Sequence, residues 1–317
     1  MEKTGGISKQ LAALSCVKLN KKIIIACDLF LPLKLYHLPA GFVNNLSRHQ
    51  PMVEIHEVNT PEKPSLSKIS SDAQIYFGNR ITRELIQKLP ELEWIHFGSI
   101  GVDRAICPEV ADRAIKVSNS RGTMEDYVAT HALSMILAFT RGLQHSFHIQ
   151  QKGQLNRPEF DSYFDHCGSL EGKNILIVGF GEIGERLGKM VQSLGMNLSI
   201  VKRKATGINL RNENTFKLED LKKAVKGKDF VINLLPETGL TRKLYNQNIF
   251  SAMEKNSFFI SLGRGGTVDE ADLALALERE EIAGAGLDVF ENEPLPNDSK
   301  LLALKNVILT PHVAGLG

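Results

Sequence analysis

The sequence has few cysteines, and their placement fits neither a metal site nor a disulfide framework. Cys16, Cys27, Cys107 and Cys167 show no CxxC spacing and have no histidines clustered beside them. Zinc sites and small disulfide-stabilised domains depend on such spacings. We therefore expect no metal, and we interpret the cysteines as buried or inert thiols.

Long apolar runs and an excess of one charge are also missing. No run approaches the roughly 20 residues that a membrane helix needs, and the start MEKTGGISKQ lacks the hydrophobic stretch of a signal peptide. The 38 Lys and Arg residues nearly balance the 36 Asp and Glu residues, without basic blocks. The sequence thus predicts a soluble cytoplasmic protein that binds neither membrane nor nucleic acid.

Short apolar segments that alternate with helix-period segments make up most of the chain. The length of 317 residues, 43% of them hydrophobic, favours two domains. One series of β-rich segments lies near Ile23, Val53, Ile75 and Ile95. A second series begins at residues 174–180 and continues through NLSIVK, DFVINLL, NSFFISLG, GAGLDV and NVILT. This alternation predicts two α/β domains, each with a doubly wound parallel sheet.

A long helix with few charges is predicted over residues 123–141, between the two series. It is compatible with an interdomain hinge, a contact to another subunit, or plain core. We expect a homodimer. Residues 142–170 are rich in polar and turn-forming types and are predicted to connect the domains.

The segment GFGEIG, residues 179–184, matches the GxGxxG pattern of dinucleotide-binding loops. It follows a predicted strand and opens a predicted helix that runs to about Leu194. The glycines allow a tight turn, a close approach to pyrophosphate and close helix packing. The N–H groups at the helix start would hold the phosphates. We therefore predict cofactor contacts from Gly179, Gly181, Glu182, Ile183 and Gly184, although this loop alone leaves mononucleotide or adenosyl binding open.

Three cations follow the next predicted strand, where NAD-binding enzymes of this fold carry an acidic residue for the ribose hydroxyls. They are Lys202, Arg203 and Lys204. Cations bind a 2′-phosphate through charge-assisted hydrogen bonds, and no carboxylate is present to repel it. The cluster favours NADP(H) over NAD(H); a solvated basic loop is the alternative.

Several spaced stretches together resemble the D-isomer-specific 2-hydroxyacid dehydrogenase family. They are GSIGVD (98–103), SLEGKNILIVGFGEIG (169–184), NLLPETGLTRKL (233–244), ISLGRGGTVDE (260–270), AGAGLDVFENEPLP (283–296) and NVILTPHVAG (306–315). The resemblance implies hydride transfer between NAD(P)H and a small 2-oxo or 2-hydroxy acid of the glyoxylate or hydroxypyruvate type.

The resemblance also implies a domain plan: a Rossmann cofactor domain inserted in a flavodoxin-like substrate domain. Residues 1–122 would form the substrate-binding domain, with 1–20 as an extension. Residues 123–309 would form the dinucleotide-binding domain. Residues 310–317 would begin a return toward the substrate domain that is cut short.

Catalytic residues follow from the same resemblance. Arg264 would bind the substrate carboxylate and keto oxygen, a task suited to the two-point fork of a guanidinium. His312 would be the acid/base, because the alkoxide left by hydride transfer needs a proton near neutral pH. Glu293 would orient the imidazole. The other histidines are interpreted as surface or core residues.

The remaining residues implied by the family surround the substrate and the nicotinamide. The backbone of Ile100 and Gly101 would receive the substrate carboxylate. Pro236, Gly263 and Asp288 match positions near the nicotinamide, and Asp288 would bind its carboxamide. A helix N-cap or an ion pair is the alternative role for Asp288.

The chain departs from the family pattern at Thr130, where relatives carry Glu, and at its end, five residues past His312. A truncated chain, a naturally shortened enzyme and a degenerate paralogue are all compatible with this end. Ile7, Leu11 and Leu14 lie at helical spacing and could cover exposed surface.

Two other functions stay open from the sequence. A regulatory protein could bind the cofactor without turnover. A formate-type dehydrogenase would use the same fold, but a glutamine is expected there at the position of Glu293.

Overall fold

The computed structural model describes residues 22–29, 41–57, 59–60, 63–64, 70–79, 81–102, 107–202 and 214–316. The chain divides into two compact units, Met1–Arg121 and Gly122–Gly317. Within the described ranges, no helix combines the length and apolar character that crossing a bilayer requires. The same ranges contain no group of His, Cys, Asp or Glu side chains that could hold a metal ion.

The first unit contains a five-stranded parallel sheet and a separate antiparallel strand pair. The strands in chain order are β1 Ile23–Asp28, β2 Val53–Glu57, β3 Asn59–Thr60, β4 Lys63–Pro64, β5 Ile75–Gly78, β6 Trp94–Phe97 and β7 Lys116–Asn119. The helices are α1 Phe42–His49, α2 Arg83–Lys88 and α3 Pro108–Asp112. The sheet order is β2-β1-β5-β6-β7, with β3 and β4 forming the pair. This is the flavodoxin-like order, as predicted.

Side-chain hydrogen bonds to the backbone fix the ends of the short helices of this unit. The Thr82 side chain caps α2 by accepting a hydrogen bond from Leu85 N–H at 3.1 Å. The Arg113 guanidinium, just past α3, donates to the carbonyls of Ile86, Leu89, Pro90 and Leu92. These carbonyls lie in the last turn of α2 and in the loop that follows it, where backbone groups depend on partners from outside the helix. One arginine thus fixes α2 and α3 against each other.

The second unit contains a seven-stranded sheet that is parallel throughout. Its strands are β8 Asn174–Val178, β9 Asn197–Val201, β10 Asn214–Phe216, β11 Phe230–Asn233, β12 Phe258–Ser261, β13 Gly284–Leu287 and β14 Val307–Leu309. The order is β10-β9-β8-β11-β12-β13-β14. The chain reverses direction across the sheet between β8 and β11. Ligands of doubly wound folds bind at the carboxyl ends of strands at such a reversal.

Helices cover this second sheet. They are α4 Glu125–Thr140, α5 Leu143–Gln151, α6 Arg157–Asp161, α7 Glu182–Ser193, α8 Leu221–Ala224, α9 Gln247–Phe250 and α10 Glu270–Glu278, with 3-10 turns at Phe164–His166, Leu218–Asp220, Gly265–Thr267 and Lys300–Ala303.

Alternation along the strands divides the apolar side chains into two cores. Leu176 and Val178 of β8 lie in one cluster, whereas Ile175 and Ile177 lie in the other. Successive side chains of a strand point to opposite faces, so a strand buried on both faces is apolar throughout. The predicted pair of parallel-sheet α/β domains is therefore confirmed.

The prediction of a plain connection over residues 142–170 is wrong, because α5, α6 and a 3-10 turn occupy this stretch. Gly142 ends α4 in the left-handed conformation, with φ of 62°, and α5 starts directly after it. Asn156 caps α6 by accepting from Glu159 N–H at 3.0 Å. The buried Tyr163 hydroxyl donates to the Phe139 carbonyl at 3.1 Å. The polar residues are the solvent side of helices that pack on α4.

The domain limits drawn from the sequence stay a prediction. None of the described residues after Arg121 belongs to the first unit. Within residues 310–316, Ala314 is part of the core of the second unit. The predicted contribution of Ile7, Leu11 and Leu14 lies outside the described residues.

Candidate active site

The glycine-rich loop forms a tight turn between β8 and α7. Gly179 has φ of 96°, a conformation that side chains with a Cβ rarely adopt. A Cβ on Gly179 would also lie 2.9 Å from the carbonyl carbon and oxygen of Leu234. A Cβ on Gly184 would lie 2.9 Å from the Gly179 carbonyl oxygen. Glycine at these positions lets the turn, the helix and the end of β11 approach closely.

The start of α7 is not filled by the described part of the chain. Gly181 is the N-cap and provides no side-chain cap, and a Cβ placed there would meet no described atom within 4 Å. The first N–H groups of a helix have no partners inside the helix, and they attract anions. Gly181 and Glu182 are exposed, whereas Ile183 packs against the core. The loop fits a pyrophosphate, with Ile183 supplying packing.

Lys202 is half-buried directly after β9, and its N–H donates to the Phe216 carbonyl at 3.2 Å. This bond places Lys202 at the carboxyl end of the strand, next to β10. Arg203 and Lys204 lie outside the described residues. A contact between this cluster and a 2′-phosphate stays a prediction.

A buried polar network joins the ends of β11 and β12. Asn233 is fully buried, and its Nδ2 donates to Ser261 Oγ at 3.0 Å and Thr267 Oγ1 at 2.7 Å. Its Oδ1 accepts from Leu235 N–H at 3.1 Å, which shapes the turn before Pro236. Pro236 itself is exposed, and its place near the nicotinamide stays a prediction. Sequence reasoning missed Asn233, although a polar residue ending an apolar strand was a usable signal.

Arg264 is held between two glycines whose backbones are tightly packed. Gly263 lies against Leu235 and Gly265 against Phe290, so closely that a Cβ at either would overlap the neighbouring backbone. The Arg264 carbonyl accepts from Thr267 Oγ1 at 2.6 Å. Its Nη1 donates to the Gly263 carbonyl at 2.9 Å. These contacts fix the base of the half-buried arginine beside the segment that leads to Glu293.

Glu293 and His312 come together, as the sequence predicts for a catalytic pair. His312 Nδ1 lies 2.9 Å from Glu293 Oε2, and Glu293 Oε1 accepts from Phe290 N–H at 3.1 Å. The His312 side chain is 47% exposed and the Glu293 side chain 23% exposed. Because Nδ1 faces the carboxylate, Nε2 on the far side of the ring is the atom for proton exchange with a ligand.

Two further glutamates, Glu270 and Glu291, support the segment that carries Glu293. Glu270 N–H donates to Glu291 Oε1 at 3.0 Å, and Glu291 N–H donates back to Glu270 Oε1. Burial raises the pKa of the Glu270 carboxyl, and the charges of Glu291 and Glu293 raise it further. This reciprocal contact ties the start of α10 to the segment that carries Glu293.

Asp288 anchors the turn that carries His312. It is 1% exposed. Its Oδ1 accepts from Thr310 Oγ1 at 2.6 Å and Val313 N–H at 2.8 Å, and its Oδ2 accepts from Ala314 N–H at 2.9 Å. Of the two alternatives from the sequence, an N-cap is not what is seen, because Asp288 follows β13, while His131 Nε2 at 3.9 Å from Oδ1 leaves an ion pair open. A contact with the nicotinamide carboxamide stays a prediction.

In the first unit, Ile100 and Gly101 lie in the turn after β6. Asn119 Nδ2 donates to the Ile100 carbonyl at 2.6 Å, and Ser120 N–H donates to the Ser99 carbonyl at 3.2 Å. A trans peptide directs its N–H opposite to its carbonyl, so the N–H groups of Ile100 and Gly101 point away from these partners. This orientation suits a carboxylate acceptor. Sequence reasoning missed Asn119.

Comparisons with known proteins agree with this geometry. The family model described as D-isomer specific 2-hydroxyacid dehydrogenase, NAD binding domain, matches residues 133–314. A probable 2-ketogluconate reductase of Dictyostelium discoideum is 34% identical over 74% of this chain and 70% of its own. A glyoxylate reductase of Thermococcus kodakarensis is 31% identical over 87% of this chain and 84% of its own.

A solved structure extends the likeness to three dimensions. The NADPH-dependent glyoxylate/hydroxypyruvate reductase of Sinorhizobium meliloti, in complex with citrate, superposes with a TM-score of 0.75 and 26% identity. The match covers 93% of this chain and 89% of that one. With its family model, its parallel sheets and its Glu293–His312 pair, this chain belongs to the D-isomer specific 2-hydroxyacid dehydrogenase family.

Proposed function

We propose that this chain, an NAD(P)-dependent oxidoreductase of that family, reduces a small 2-oxo acid of the glyoxylate or hydroxypyruvate type to the D-2-hydroxy acid, with NADPH as the preferred cofactor. The observation that carries the proposal is the contact between His312 Nδ1 and Glu293 Oε2 at 2.9 Å. The anchored Arg264 loop beside this pair supports it.

The described residues fit a dinucleotide. The α7 start has no side-chain cap, and none of the described residues crowds Gly181, which suits a pyrophosphate, while the glycine at 179 permits the close turn. Lys202, with Arg203 and Lys204, would hold a 2′-phosphate. When bound, NADPH supplies the hydride that reduces the substrate carbonyl.

The protein's own residues bind the acid and handle the proton. Arg264 grips the carboxylate and keto oxygen, and the N–H groups of Ile100 and Gly101 receive the carboxylate. His312 donates the proton from Nε2 to the developing alkoxide. Glu293 holds Nδ1, so that the imidazole presents its other nitrogen to the substrate.

Of the rival functions, a formate-type dehydrogenase is disfavoured by the carboxylate at position 293, because oxidation of formate leaves no alkoxide to protonate. A cofactor-binding regulator would not need the paired acid/base. Glyoxylate, hydroxypyruvate and 2-ketogluconate, each with NADPH and NADH, test the proposal through nicotinamide absorbance. We expect turnover with at least one acid. Tight cofactor binding without turnover on any of them would identify a regulator.

The cofactor preference is a separate prediction. We expect kcat/KM to be about tenfold higher with NADPH than with NADH, since one charge-assisted contact to the 2′-phosphate contributes about 1.4 kcal/mol. Replacing both Arg203 and Lys204 by Ser should weaken NADPH selectively, and by less in high salt. Lys255→Ser, at an exposed site elsewhere, is the control. Equal kcat/KM values for NADPH and NADH would show that the cluster does not bind the 2′-phosphate.

Apolar surface on α5 supports the expected homodimer. Phe147 is 62% exposed, Leu143 48% and Leu302 54%, and they border a groove of about 550 Å³. Adjacent exposed apolar side chains of this kind are typical of subunit interfaces. We propose that a second copy of the chain covers them.

The dimer prediction has a matched control. Phe147→Glu should convert a species of twice the chain mass into a monomer, as measured by light scattering after gel filtration, because a charge cannot be buried there without a partner. Leu240→Glu, at a side chain that is 82% exposed, should leave the mass unchanged. A monomeric wild type, or a dimer that survives Phe147→Glu, would contradict the assignment.

A further inference from the structure

We propose that His131 is a positioning residue for proton transfer by His312. His131 lies on α4, and its Nε2 is 3.0 Å from Thr310 Oγ1. Thr310 in turn binds Asp288, the anchor of the turn that carries His312. The inference rests on the proposed function and adds a residue that the sequence analysis had assigned to the surface or core.

The directions of the hydrogen bonds follow from counting protons. Thr310 has one hydroxyl proton, and Asp288 Oδ1, at 2.6 Å, is a carboxylate oxygen that can only accept. The Thr310 oxygen must therefore accept from its other partner. Nε2 of His131 carries the hydrogen, and a one-way chain runs from His131 through Thr310 to Asp288.

The burial of Asp288 makes this series of hydrogen bonds important. The Asp288 side chain is 2% exposed, and a buried carboxylate is costly unless donors surround it. Three donors come from the segment that Asp288 holds: the Thr310 hydroxyl and the N–H groups of Val313 and Ala314. His131 Nε2 lies 3.9 Å from Asp288 Oδ1. His131 is outside this segment and holds one of the three donors, the Thr310 hydroxyl, in place.

These bonds bracket the catalytic histidine. Thr310 lies two residues before His312, and Val313 and Ala314 follow it. His312 has φ of 55°, in the left-handed region that is strained for a side chain with a Cβ. Such a conformation persists only where surrounding contacts enforce it. A loosened Thr310 would thus move the imidazole relative to its working position.

Helix α4 is a rigid base for His131. Its Ala132 and Met135 lie in the same core cluster as Ala314. Its start is fixed by Glu125, whose side chain accepts from Gly122 N–H at 2.7 Å and Met124 N–H at 3.0 Å. His131 therefore transmits the position of a buried helix to the turn.

The first experiment compares kinetics of His131→Ala, His131→Gln, Thr310→Val and the double variant His131→Ala/Thr310→Val. We expect His131→Ala to lower kcat by about tenfold, with the KM for NADPH unchanged, because small misplacements of a catalytic group are costly. Gln carries a donor near the position of Nε2 and should restore most of kcat. The double variant should be no worse than the more damaged single variant, since the two residues act in one chain.

A control and a contradicting result complete the kinetic test. Ser134→Ala lies on the same helix, where the exposed Ser134 hydroxyl donates to the Thr130 carbonyl of its own helix, and it should leave kcat unchanged. Losses that add in the double variant, a wild-type kcat in His131→Ala, or no rescue by Gln would each overturn the proposal.

A second readout does not need turnover. Hydrogen exchange of the Val313 and Ala314 amides should accelerate in His131→Ala and Thr310→Val, return toward wild type in His131→Gln, and stay unchanged in Ser134→Ala. Unchanged exchange in His131→Ala would overturn the inference. If the wild type reduced no acid, the proposed function would fail, while exchange would still decide whether His131 holds the turn.

Discussion

Replacing His312 by Ala should lower kcat by about 10²- to 10⁴-fold, the contribution of a positioned general acid. The imidazole is bound to Glu293 through Nδ1 at 2.9 Å, and Nε2 is the nitrogen that we propose donates the proton to the alkoxide. NADPH affinity should stay near the wild-type value, because we propose that the nucleotide binds at the loop after β8, away from His312. Steady-state kinetics and a fluorescence titration with NADPH measure the two effects.

Two further variants test this interpretation of His312. His49→Ala, at an exposed histidine of α1, should leave kcat unchanged. Glu293→Gln should lower kcat by about tenfold, since the two carboxylate oxygens accept from His312 and from Phe290 N–H, and an amide has one acceptor oxygen for both. A wild-type kcat in His312→Ala would sink the mechanism, whatever the effect of Glu293→Gln.

Arg264→Lys should reduce kcat/KM by at least about tenfold, or about 1.4 kcal/mol, although the charge is kept. The backbone of Arg264 is fixed between two glycines packed against Leu235 and Phe290, so the side chain starts from a defined point. A guanidinium binds two oxygens through a planar fork, and an ammonium cannot reproduce that geometry. The kinetics are measured with the best 2-oxo acid of the panel.

The matched control for Arg264 is Arg242→Lys, because the Arg242 side chain is 73% exposed near Glu237. We expect wild-type kinetics there. Wild-type kinetics in Arg264→Lys would instead show that the arginine is structural. A loss confined to NADPH affinity would move its role from substrate to cofactor.

The apolar segments of the sequence predicted the strands that pair at the centre of each sheet, because burial on both faces requires continuous apolar residues. Two of the four edge strands of these sheets, β7 and β10, were not predicted. Lys116 and Val117 at the start of β7 are exposed, and β10 has three residues, so neither gives a strong apolar pattern. Their pairing depends on a neighbouring strand that is already in place.

The candidate site shows a similar division. Resemblance to a family identified Arg264, Glu293 and His312, and the structure brings the last two into contact. Asn233 and His131 were not identified. Each acts through partners far away in the sequence: Asn233 binds Thr267, and His131 binds Thr310, 179 positions later. Local sequence patterns contain no information about such pairs.

The sequence by itself determined the two sheets and the glycine turn, because each of these leaves a local signature in residue type and spacing, and its resemblance to a known family indicated the reaction class. Only the tertiary structure decided how the chemistry is held in place. Asp288 and Glu270 are ordinary carboxylates in the sequence; burial and donors from other segments make one the anchor of the His312 turn and raise the pKa of the other. Desolvation depends on which distant residues surround a group, and that is fixed only when the chain has folded.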